Sequence, residues 1–423
     1  MRTWSAERVA EEAGATLVRG AQGSGPQQAL IDSRAAGPGD LFVGLVGDNL
    51  DGGAFAGRAL EAGAWGVLVA PEHAANLPDG GAVIVSPSPL TSLQALARGW
   101  RRELGAAVIA ITGSVGKTST KDLVRALIAP QRRVHASRAN FNTEIGLPLE
   151  VLAAPGGTEV LVLEMGMRGA GQIAELAAIA QPDVGVVTAL GPVHLELLGS
   201  MDAIARAKAE LLRDVRVAVI PADDDRLDAY LPDGVEVVRF GADERALEAL
   251  ELPFTSAHMR RNALAAVAAA RAVGVEPSGR VDLELSAMRG QLIELAGGVT
   301  VVEDCYNANP LSMRAALDDL AVQTPPGRRI AVLGDMLELG RDERALHREI
   351  GAHAAVSGVD VLVTAGPLAA EMGAAFNGLV YTAADAAQAA GIVRGLVAPG
   401  DLVLVKASRG VRLEAVTQAL AVA

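Results

Sequence analysis

Short apolar runs alternate with amphipathic stretches along nearly the whole chain. Runs with β-branched members predict buried strands, whereas apolar residues spaced three and four apart predict helices. From about residue 106 onward, strands and helices alternate regularly, which is typical of a mostly parallel sheet with helices on its faces. The predicted strands lie at 41–45, 66–70, 108–112, 159–163, 184–190, 217–220, 299–303, 329–333, 360–364 and 402–406, and the main predicted helices at 54–62, 262–273, 312–322, 343–356 and 367–376.

Two breaks interrupt this pattern. A predicted helix ends in the glycine-bounded stretch 99–105, and residues 274–298 carry prolines and glycines without a clear period. A chain of 423 residues is too long for one compact core. We therefore predict an α/β protein of three domains, with limits at 1–104, 105–285 and 286–423.

A glycine-bearing loop follows the strand at 108–112 and leads directly into a helix that opens at Lys117. Loops of this kind turn their backbone N–H groups inward, and the helix N-terminus adds partial positive charge. Lys117 would serve the β- and γ-phosphates of a nucleotide, and the Thr118 hydroxyl would bind Mg²⁺. The alternative is an ordinary glycine-rich β–α turn. The predicted phosphate-site residues are Gly113, Ser114, Gly116, Lys117, Thr118 and Ser119.

Ligands of parallel sheets collect at the carboxyl ends of the strands, so the residues after each strand are candidates for chemistry. Glu164 ends one strand, where a carboxylate is either a turn residue or a Mg²⁺ ligand. His194 follows the next strand, and is either a functional residue or a structural histidine. No G-x-G-x-x-G follows any strand, which argues against a dinucleotide site.

Lys208 lies on the apolar stripe of a predicted helix, four residues after Ile204 and three before Leu211. A buried lysine costs stability unless it is paired, reaches solvent, or is chemically altered. Burial would lower its pKa and expose a neutral amine. Reaching solvent is the simpler alternative, and the pattern leaves both open.

Two further stretches present polar groups. Asn262 sits at the start of an alanine-rich helix, where it would contact a base or ribose or would merely cap a core helix. Ser33 and Arg34 precede the glycine loop 47–53, which suits a ligand with phosphates as well as it suits a scaffold.

Composition narrows the functional classes. The net charge of −13 argues against a nucleic-acid-binding surface. The single cysteine, Cys305, excludes an intramolecular disulfide framework and fits a reducing compartment. The N-terminus carries no apolar signal core, and no uncharged apolar run reaches 18 residues. We therefore expect a soluble, cytoplasmic protein without an integral membrane segment.

Several segments, in order, resemble the Mur ligases, and most closely the members that add D-alanyl-D-alanine to UDP-N-acetylmuramoyl-tripeptide. The resemblance spans nearly the whole chain. The phosphate loop is shared by all Mur ligases and by folylpolyglutamate synthetase, whereas the Tyr-Asn-Ala-Asn-Pro and Leu-Gly-Asp-Met-Leu-Glu-Leu-Gly segments are specific to these members. The carrying segments are 32–34 with 39–45, 111–118, 140–148, 164–166, 191–196 with 199–200, 304–310 and 332–340.

The resemblance implies an N-terminal domain for the UDP-sugar peptide, a central ATP domain, and a Rossmann-like C-terminal domain that helps bind ATP and the incoming amine. It implies ATP and two Mg²⁺ ions, with Lys208 as a carbamylated metal ligand beside Thr118, Glu164 and His194. We expect a monomer. The residues carried over to the nucleotide are Asn262, Arg289, Asp304 and Asn309, and those to the substrates are Ser33, Arg34, Asn140, Asn142 and Asp335.

The chain departs from the family pattern at four places. Alanine replaces the usual asparagine at Ala189, and Asn142-Thr143-Glu144 replaces Asn-Asn-Glu. The early Asp-Gly-His motif is Asp51-Gly52-Gly53 here. The Pro-x-x-Gly-Arg segment before the third domain is shortened to 288–291, so that Arg289 would have to supply the phosphate-contacting arginine.

The predicted activity is ATP-dependent amide-bond formation through an acyl phosphate. Two alternatives stay open at this level. One is a sister Mur ligase or a folylpolyglutamate-synthetase-like ligase with another acceptor. The other is a nucleotide-dependent switch or binding module without ligation.

Overall fold

The structure, a computed structural model, describes residues 1, 3–21, 23–138, 140–193 and 195–421. Within them the chain forms three separate sheets with flanking helices, one after another, and a two-stranded pairing of Leu250–Glu251 with Gly279–Arg280. The predicted α/β class is confirmed. The domain limits at 104/105 and 285/286 stay predictions.

The first sheet has five strands in the order β1-β5-β4-β3-β2, and only β1 runs antiparallel to its neighbour. The two middle strands β3 and β4 are buried at every position, as expected for strands covered on both faces. Its elements are α1 (Ala6–Glu12), β1 (Thr16–Arg19), β2 (Gln28–Leu30), β3 (Asp40–Val43), α2 (Ala56–Glu61), β4 (Gly66–Val69), β5 (Ala82–Val85) and α3 (Pro89–Leu104).

The second sheet has six parallel strands in the order β11-β10-β9-β6-β8-β7. The strand that leads into the phosphate loop, β6, lies between β9 and β8. The elements are β6 (Ala107–Thr112), α4 (Lys117–Ile128), β7 (Val134–Ala136), α5 (Gly146–Ala153), β8 (Val160–Glu164), α6 (Gln172–Ala180), β9 (Val184–Val187), α7 (Leu195–Leu198), α8 (Met201–Ala209), β10 (Val217–Pro221), β11 (Glu236–Phe240), β12 (Leu250–Glu251), α9 (Ala257–Ala272) and β13 (Gly279–Arg280).

The third sheet has six strands in the order β14-β15-β19-β16-β17-β18, with an antiparallel hairpin of β14 and β15 at one edge. The remaining pairs are parallel. The elements are β14 (Gln291–Glu294), β15 (Thr300–Glu303), α10 (Pro310–Val322), β16 (Arg329–Gly334), α11 (Glu343–Val356), β17 (Val361–Ala365), α12 (Ala370–Ala375), β18 (Leu379–Ala383), α13 (Ala386–Leu396), β19 (Leu402–Lys406) and α14 (Glu414–Ala421).

Helix α3 joins the first two sheets. Trp100 donates its indole N–H to the carbonyl of Ala154 at 3.0 Å, and the Arg101 guanidinium donates to the carbonyl of Ala180 at 3.0 Å. One hydrophobic core therefore runs from the first sheet through α3 into the near face of the second. The helix predicted to end one domain is in fact packed against the next.

The third sheet is tied to the second by polar contacts. The backbone N–H of Ser286 donates to the Asp122 carboxylate at 2.8 Å, and the buried Lys121 amine donates to the Ser286 hydroxyl at 3.2 Å. The His258 imidazole lies 2.9 Å from the carboxylate of Asp319 on α10. These contacts place one side of the third sheet over the phosphate-loop side of the second.

Candidate nucleotide and metal site

The loop between β6 and α4 requires glycine at both ends. Gly113 has φ +152°, and a β-carbon there would collide with the Thr188 hydroxyl. Gly116 has φ +82°, and a β-carbon would lie 2.5 Å from the Asn262 side-chain oxygen. Both positions combine a left-handed backbone with a close neighbour, which only glycine tolerates. The loop thus forms the tight turn predicted for a phosphate-binding loop.

Lys117 opens α4 and reaches back across this loop. Its amine donates to the carbonyl of Gly113 at 2.8 Å. Burial lowers the pKa of the Lys117 amine, the nearby Glu164 carboxylate opposes this shift, and the Arg289 guanidinium adds to it. The Lys117 charge would therefore be stabilised by an anion placed in the loop, because negative charge raises the pKa of a neighbouring lysine.

Thr118, Glu164 and Asn142 form a chain of hydrogen bonds at the carboxyl end of β8. The Thr118 hydroxyl donates to one Glu164 oxygen at 2.8 Å, and the Asn142 amide donates to the other at 2.9 Å. The Glu164 backbone N–H donates to the Ser137 hydroxyl at 2.9 Å. Asn142, predicted to contact substrate, is thus placed where it orients Glu164.

The spacing of these oxygens suits Mg²⁺. Mg²⁺ prefers octahedral oxygen ligands at about 2.0–2.1 Å, so two adjacent ligands lie about 2.9 Å apart. The observed separation of the Thr118 and Glu164 oxygens is 2.8 Å. Within the described residues, no group of three or more histidines, cysteines or acids converges on one point. His194, the predicted further ligand, lies outside the described residues.

Lys208 is buried on α8, with 2 % of its surface exposed. Burial, and then the neighbouring Lys117 charge, lower the pKa of the Lys208 amine well below its usual value. The described part of the chain offers this amine no carboxylate or hydrogen-bond acceptor. The side chain is thus almost completely covered by protein, and the charge of Lys117 acts on its amine.

The third sheet supplies the opposite wall of a cleft of about 1370 Å³. The Arg289 guanidinium lies 4.2 Å from the centre of the Tyr306 ring, an arrangement in which the ring face stabilises the cation. Asp304 accepts a hydrogen bond of 2.6 Å from the Lys406 amine, which also donates to the Asn307 carbonyl at 3.1 Å. Arg289, Asp304 and Lys406 all line the cleft that the phosphate loop lines from the other side.

Asn262 and Asn309 line the same cleft. Asn262, on the first turns of α9, is buried against Gly116. Asn309 caps α10: its side-chain oxygen accepts from the Ser312 N–H at 3.0 Å, and its own backbone N–H donates to the Ser312 hydroxyl at 3.1 Å. The Asn309 oxygen is therefore committed to the helix, and a nucleotide contact by this residue stays a prediction.

The remaining predicted residues have other surroundings. Arg34 is exposed and paired with Asp32 at 2.7 Å, next to the buried Ser33. Asn140 is exposed beside the phosphate-loop sheet. Asp335 is buried at the end of β16, where its carboxylate accepts from the Ala369 N–H at 2.6 Å and burial raises its pKa. Their contacts with substrate stay predictions.

Lys406 had no assigned role in the sequence. A usable signal was present, because a lysine directly after the apolar run 402–405 ends a buried parallel strand. Its partner Asp304 follows β15, and β15 and β19 are neighbours. That neighbourhood, which brings the two residues together, is a property of strand order and not of local sequence.

The fold and site together define a phosphate-loop nucleotide-binding protein whose third sheet closes one side of the nucleotide cleft. A family model of the Mur ligase middle domain matches residues 111–270, and one of the Mur ligase glutamate ligase domain matches residues 288–409. The chain belongs to the Mur ligase family and is of the MurF type.

Relatives that match over almost the whole chain support the assignment to this family. UDP-N-acetylmuramoyl-tripeptide–D-alanyl-D-alanine ligase of Bacillus subtilis (strain 168) is 36% identical, with 92% of each chain covered. The crystal structure of MurF from Acinetobacter baumannii superimposes with a TM-score of 0.86, 26% identity and 99% of each chain covered. MurF ligase from Thermotoga maritima in complex with ADP gives a TM-score of 0.80 and 28% identity, with 93% of this chain and 97% of that chain covered.

Among the described residues, no helix is both long and apolar enough to cross a bilayer.

Proposed function

We propose that this protein is an ATP-dependent ligase that joins D-alanyl-D-alanine to UDP-N-acetylmuramoyl-tripeptide in peptidoglycan precursor synthesis. The observation that carries the proposal is the cleft in which the phosphate loop and Thr118, which is hydrogen-bonded to Glu164, face Arg289, Asp304 and Lys406. The relatives that bear this activity in their names match along almost the whole chain. Because one chain lines the whole cleft, we expect a monomer to be sufficient.

The reaction has two steps. The terminal carboxylate of the tripeptide attacks the γ-phosphorus of ATP, which forms an acyl phosphate and releases ADP. The amine of D-alanyl-D-alanine then attacks the acyl carbon, loses a proton, and expels inorganic phosphate. We place the reaction in the cytoplasm, in keeping with the reducing compartment that the single cysteine indicates.

The chain's own groups would assist the first step. Backbone N–H groups at the start of α4 and the Lys117 ammonium would hold the phosphates and balance the charge that spreads over the transferring group. Thr118 and Glu164 would hold Mg²⁺, which neutralises phosphate charge when it is bound. Arg289 lies on the opposite wall, 4.2 Å from the Tyr306 ring, and would supply the phosphate-contacting arginine of the family segment that is shortened here to 288–291.

Lys208 fits the role of a carbamylated ligand. A neutral amine attacks CO₂ to give a carbamate and a proton, and a lowered pKa increases the neutral fraction of the amine. The amine is buried, unpaired within the described residues, and next to Lys117. As an anion the carbamate would pair with Lys117 and, together with His194, would hold a second Mg²⁺.

The acyl phosphate must be kept from water until the amine arrives. The contacts at Ser286 and between His258 and Asp319 hold the third sheet over the phosphate-loop side of the second. Such a wall excludes water from a reactive intermediate. We propose that the first sheet binds the UDP-sugar peptide at its carboxyl edge, where Ser33 and Arg34 lie.

The test is phosphate release from ATP and UDP-N-acetylmuramoyl-tripeptide, with and without D-alanyl-D-alanine. The proposal predicts release stimulated by the dipeptide and a matching gain in mass of the nucleotide sugar. Lys117→Ala should abolish both signals. A mass gain with another acceptor but none with the dipeptide would contradict the assigned substrate, and dipeptide-independent ATP turnover without any mass gain would contradict ligation.

A further inference from the structure

The carboxyl ends of three parallel strands meet at one edge of the first sheet. The 32–34 turn follows β2, the loop 44–53 follows β3, and a short 3₁₀ turn, Pro71–His73, follows β4. This is the edge of a parallel sheet at which ligands bind. It therefore brings together side chains that are far apart in the sequence.

Asp51 and His73 form a pair at this edge. The His73 Nε2 atom lies 2.7 Å from the Asp51 carboxylate, whose other oxygen accepts from the Gly53 N–H at 2.9 Å. The His73 side chain is 19 % exposed and that of Asp51 is 39 % exposed. The hydrogen bond from His73 is the main reason that the pKa of Asp51 is lowered. The pair is thus ordered but still accessible.

The His73 ring occupies the space that a side chain at position 53 would need. A β-carbon built on Gly53 collides with the ring, and its three nearest atoms all belong to His73. Gly53 does not have a positive φ, so its backbone conformation does not demand glycine. In the related ligases, the Asp-Gly-His motif would place an imidazole at this position. Here an imidazole reaches the same place from the turn after β4.

The pair leaves one ring nitrogen available. Since Nε2 faces the carboxylate, the proton of a neutral ring is held on Nε2, and Nδ1 is then an acceptor. Within the described residues, Nδ1 has no protein partner. Val46, which bridges to Asp51, and Leu50 expose 71 % and 68 % of their surface beside the pair. Exposed apolar side chains beside a fixed polar group are typical of a ligand surface.

We propose that His73, held by Asp51, is a binding residue for the UDP-linked sugar substrate and substitutes for the histidine absent from position 53. This inference rests on the proposed function for the class of ligand, a nucleoside-diphosphate sugar. In this chain the substrate contact would therefore come from the turn after β4, and not from the loop after β3 as in the related ligases.

The test is the affinity for UDP-N-acetylmuramoyl-tripeptide, measured by calorimetry on the full chain without ATP. Loss of one hydrogen bond to a charged or strongly polar group lowers affinity about ten- to a hundredfold, so His73→Ala should weaken binding to that extent. The double variant Gly53→His/His73→Ala returns an imidazole to the vacated space and should recover most of the loss.

A matched control is available in the third domain. His353 pairs with Asp318 at the same 2.7 Å, and its side chain is 20 % exposed. His353→Ala removes an equivalent pair far from the first sheet and should leave the affinity unchanged. Thermal unfolding of every variant separates loss of binding from loss of folding.

Unchanged affinity in His73→Ala would overturn the inference. A loss of affinity that the double variant fails to recover, while both variants stay folded, would also overturn it. The His73–Asp51 pair would then support only the local structure and would not contact the ligand. A wild type that binds the nucleotide sugar but forms no amide bond would contradict the proposed function and leave the His73 result standing.

Discussion

Two lysines of this molecule have equal burial and opposite surroundings. Lys208 on α8 and Lys406 at the end of β19 are each 2 % exposed. Lys406 donates to the Asp304 carboxylate at 2.6 Å and to the Asn307 carbonyl at 3.1 Å. Lys208 has no such acceptor among the described residues, and the positive charge of Lys117 lowers its pKa further.

Burial alone therefore does not decide what a lysine does. A buried ammonium that has a carboxylate and a carbonyl stays charged and organises its neighbours. A buried amine without partners is easier to hold neutral, and a neutral amine is a nucleophile. On this account Lys406 arranges the cleft wall, whereas Lys208 is the reactive amine.

The largest expected effect is on ligation. Lys208→Ala should slow amide-bond formation by about 10²–10³-fold, the usual cost of losing one group that stabilises developing charge. A short carboxylic acid in the buffer should restore part of the activity, because it would stand in for the carbamate. The measurement is the dipeptide-dependent rate with increasing acid.

The control for that rescue is Lys406→Ala, which should also be impaired but should gain nothing from the acid. Equal rescue of both variants would show that the acid acts elsewhere. A folded Lys208→Ala protein that no acid rescues would count against the carbamate.

The next effect is on stability. Asp304→Asn leaves the Lys406 charge buried without its carboxylate, and breaking a buried pair from one side costs about 3–5 kcal/mol. Asp304 is partly exposed at 21 %, so we expect about 2–3 kcal/mol in the free energy of unfolding, measured with denaturant. Asp318→Asn, in a pair whose acid is 62 % exposed, should cost less than about 1 kcal/mol. Equal losses of unfolding free energy in Asp304→Asn and Asp318→Asn would contradict the claim that the burial of the pair decides its contribution to stability.

The last effect, the smallest when counted per pH unit, is a pH dependence of stability. Between the lowered pKa of Lys208 and the usual value of 10.5, the unfolded chain holds a proton that the folded chain lacks. Wild-type stability therefore rises with pH across this window. In CO₂-depleted buffer, Lys208→Met should be more stable than wild type at neutral pH. This advantage should shrink by up to about 1.4 kcal/mol per pH unit as pH approaches 10.5. A difference that is constant with pH would mean that Lys208 is charged in the fold.

Local patterns predicted much of this molecule. The phosphate loop was predictable because strand, loop and helix are consecutive: β6 ends at Thr112 and α4 begins at Lys117, as expected. The predicted strands of the second and third sheets lie within a few residues of the observed ones, since continuous apolar runs are strong signals. The edge strands β7, β11 and β18 were not predicted. The burial of Lys208 followed from its place on a helical stripe.

What depends on tertiary neighbours was not predictable. The Asp304–Lys406 pair forms because β15 and β19 are adjacent, and the His73–Asp51 pair forms because β3 and β4 are. Neither pair of adjacent strands can be recognised from a local sequence motif. The hairpin strand β14 also escaped prediction, because its alternating half-buried residues carry only a weak apolar signal.

The most direct measurement of the contrast between the two lysines is a carbon NMR spectrum of the protein in ¹³C-labelled bicarbonate. If Lys208 is the reactive amine, the wild type gives a carbamate signal that disappears in Lys208→Met and persists in Lys406→Met. A wild type without the signal, or a signal that survives in Lys208→Met, would contradict the assignment of Lys208 as the reactive amine.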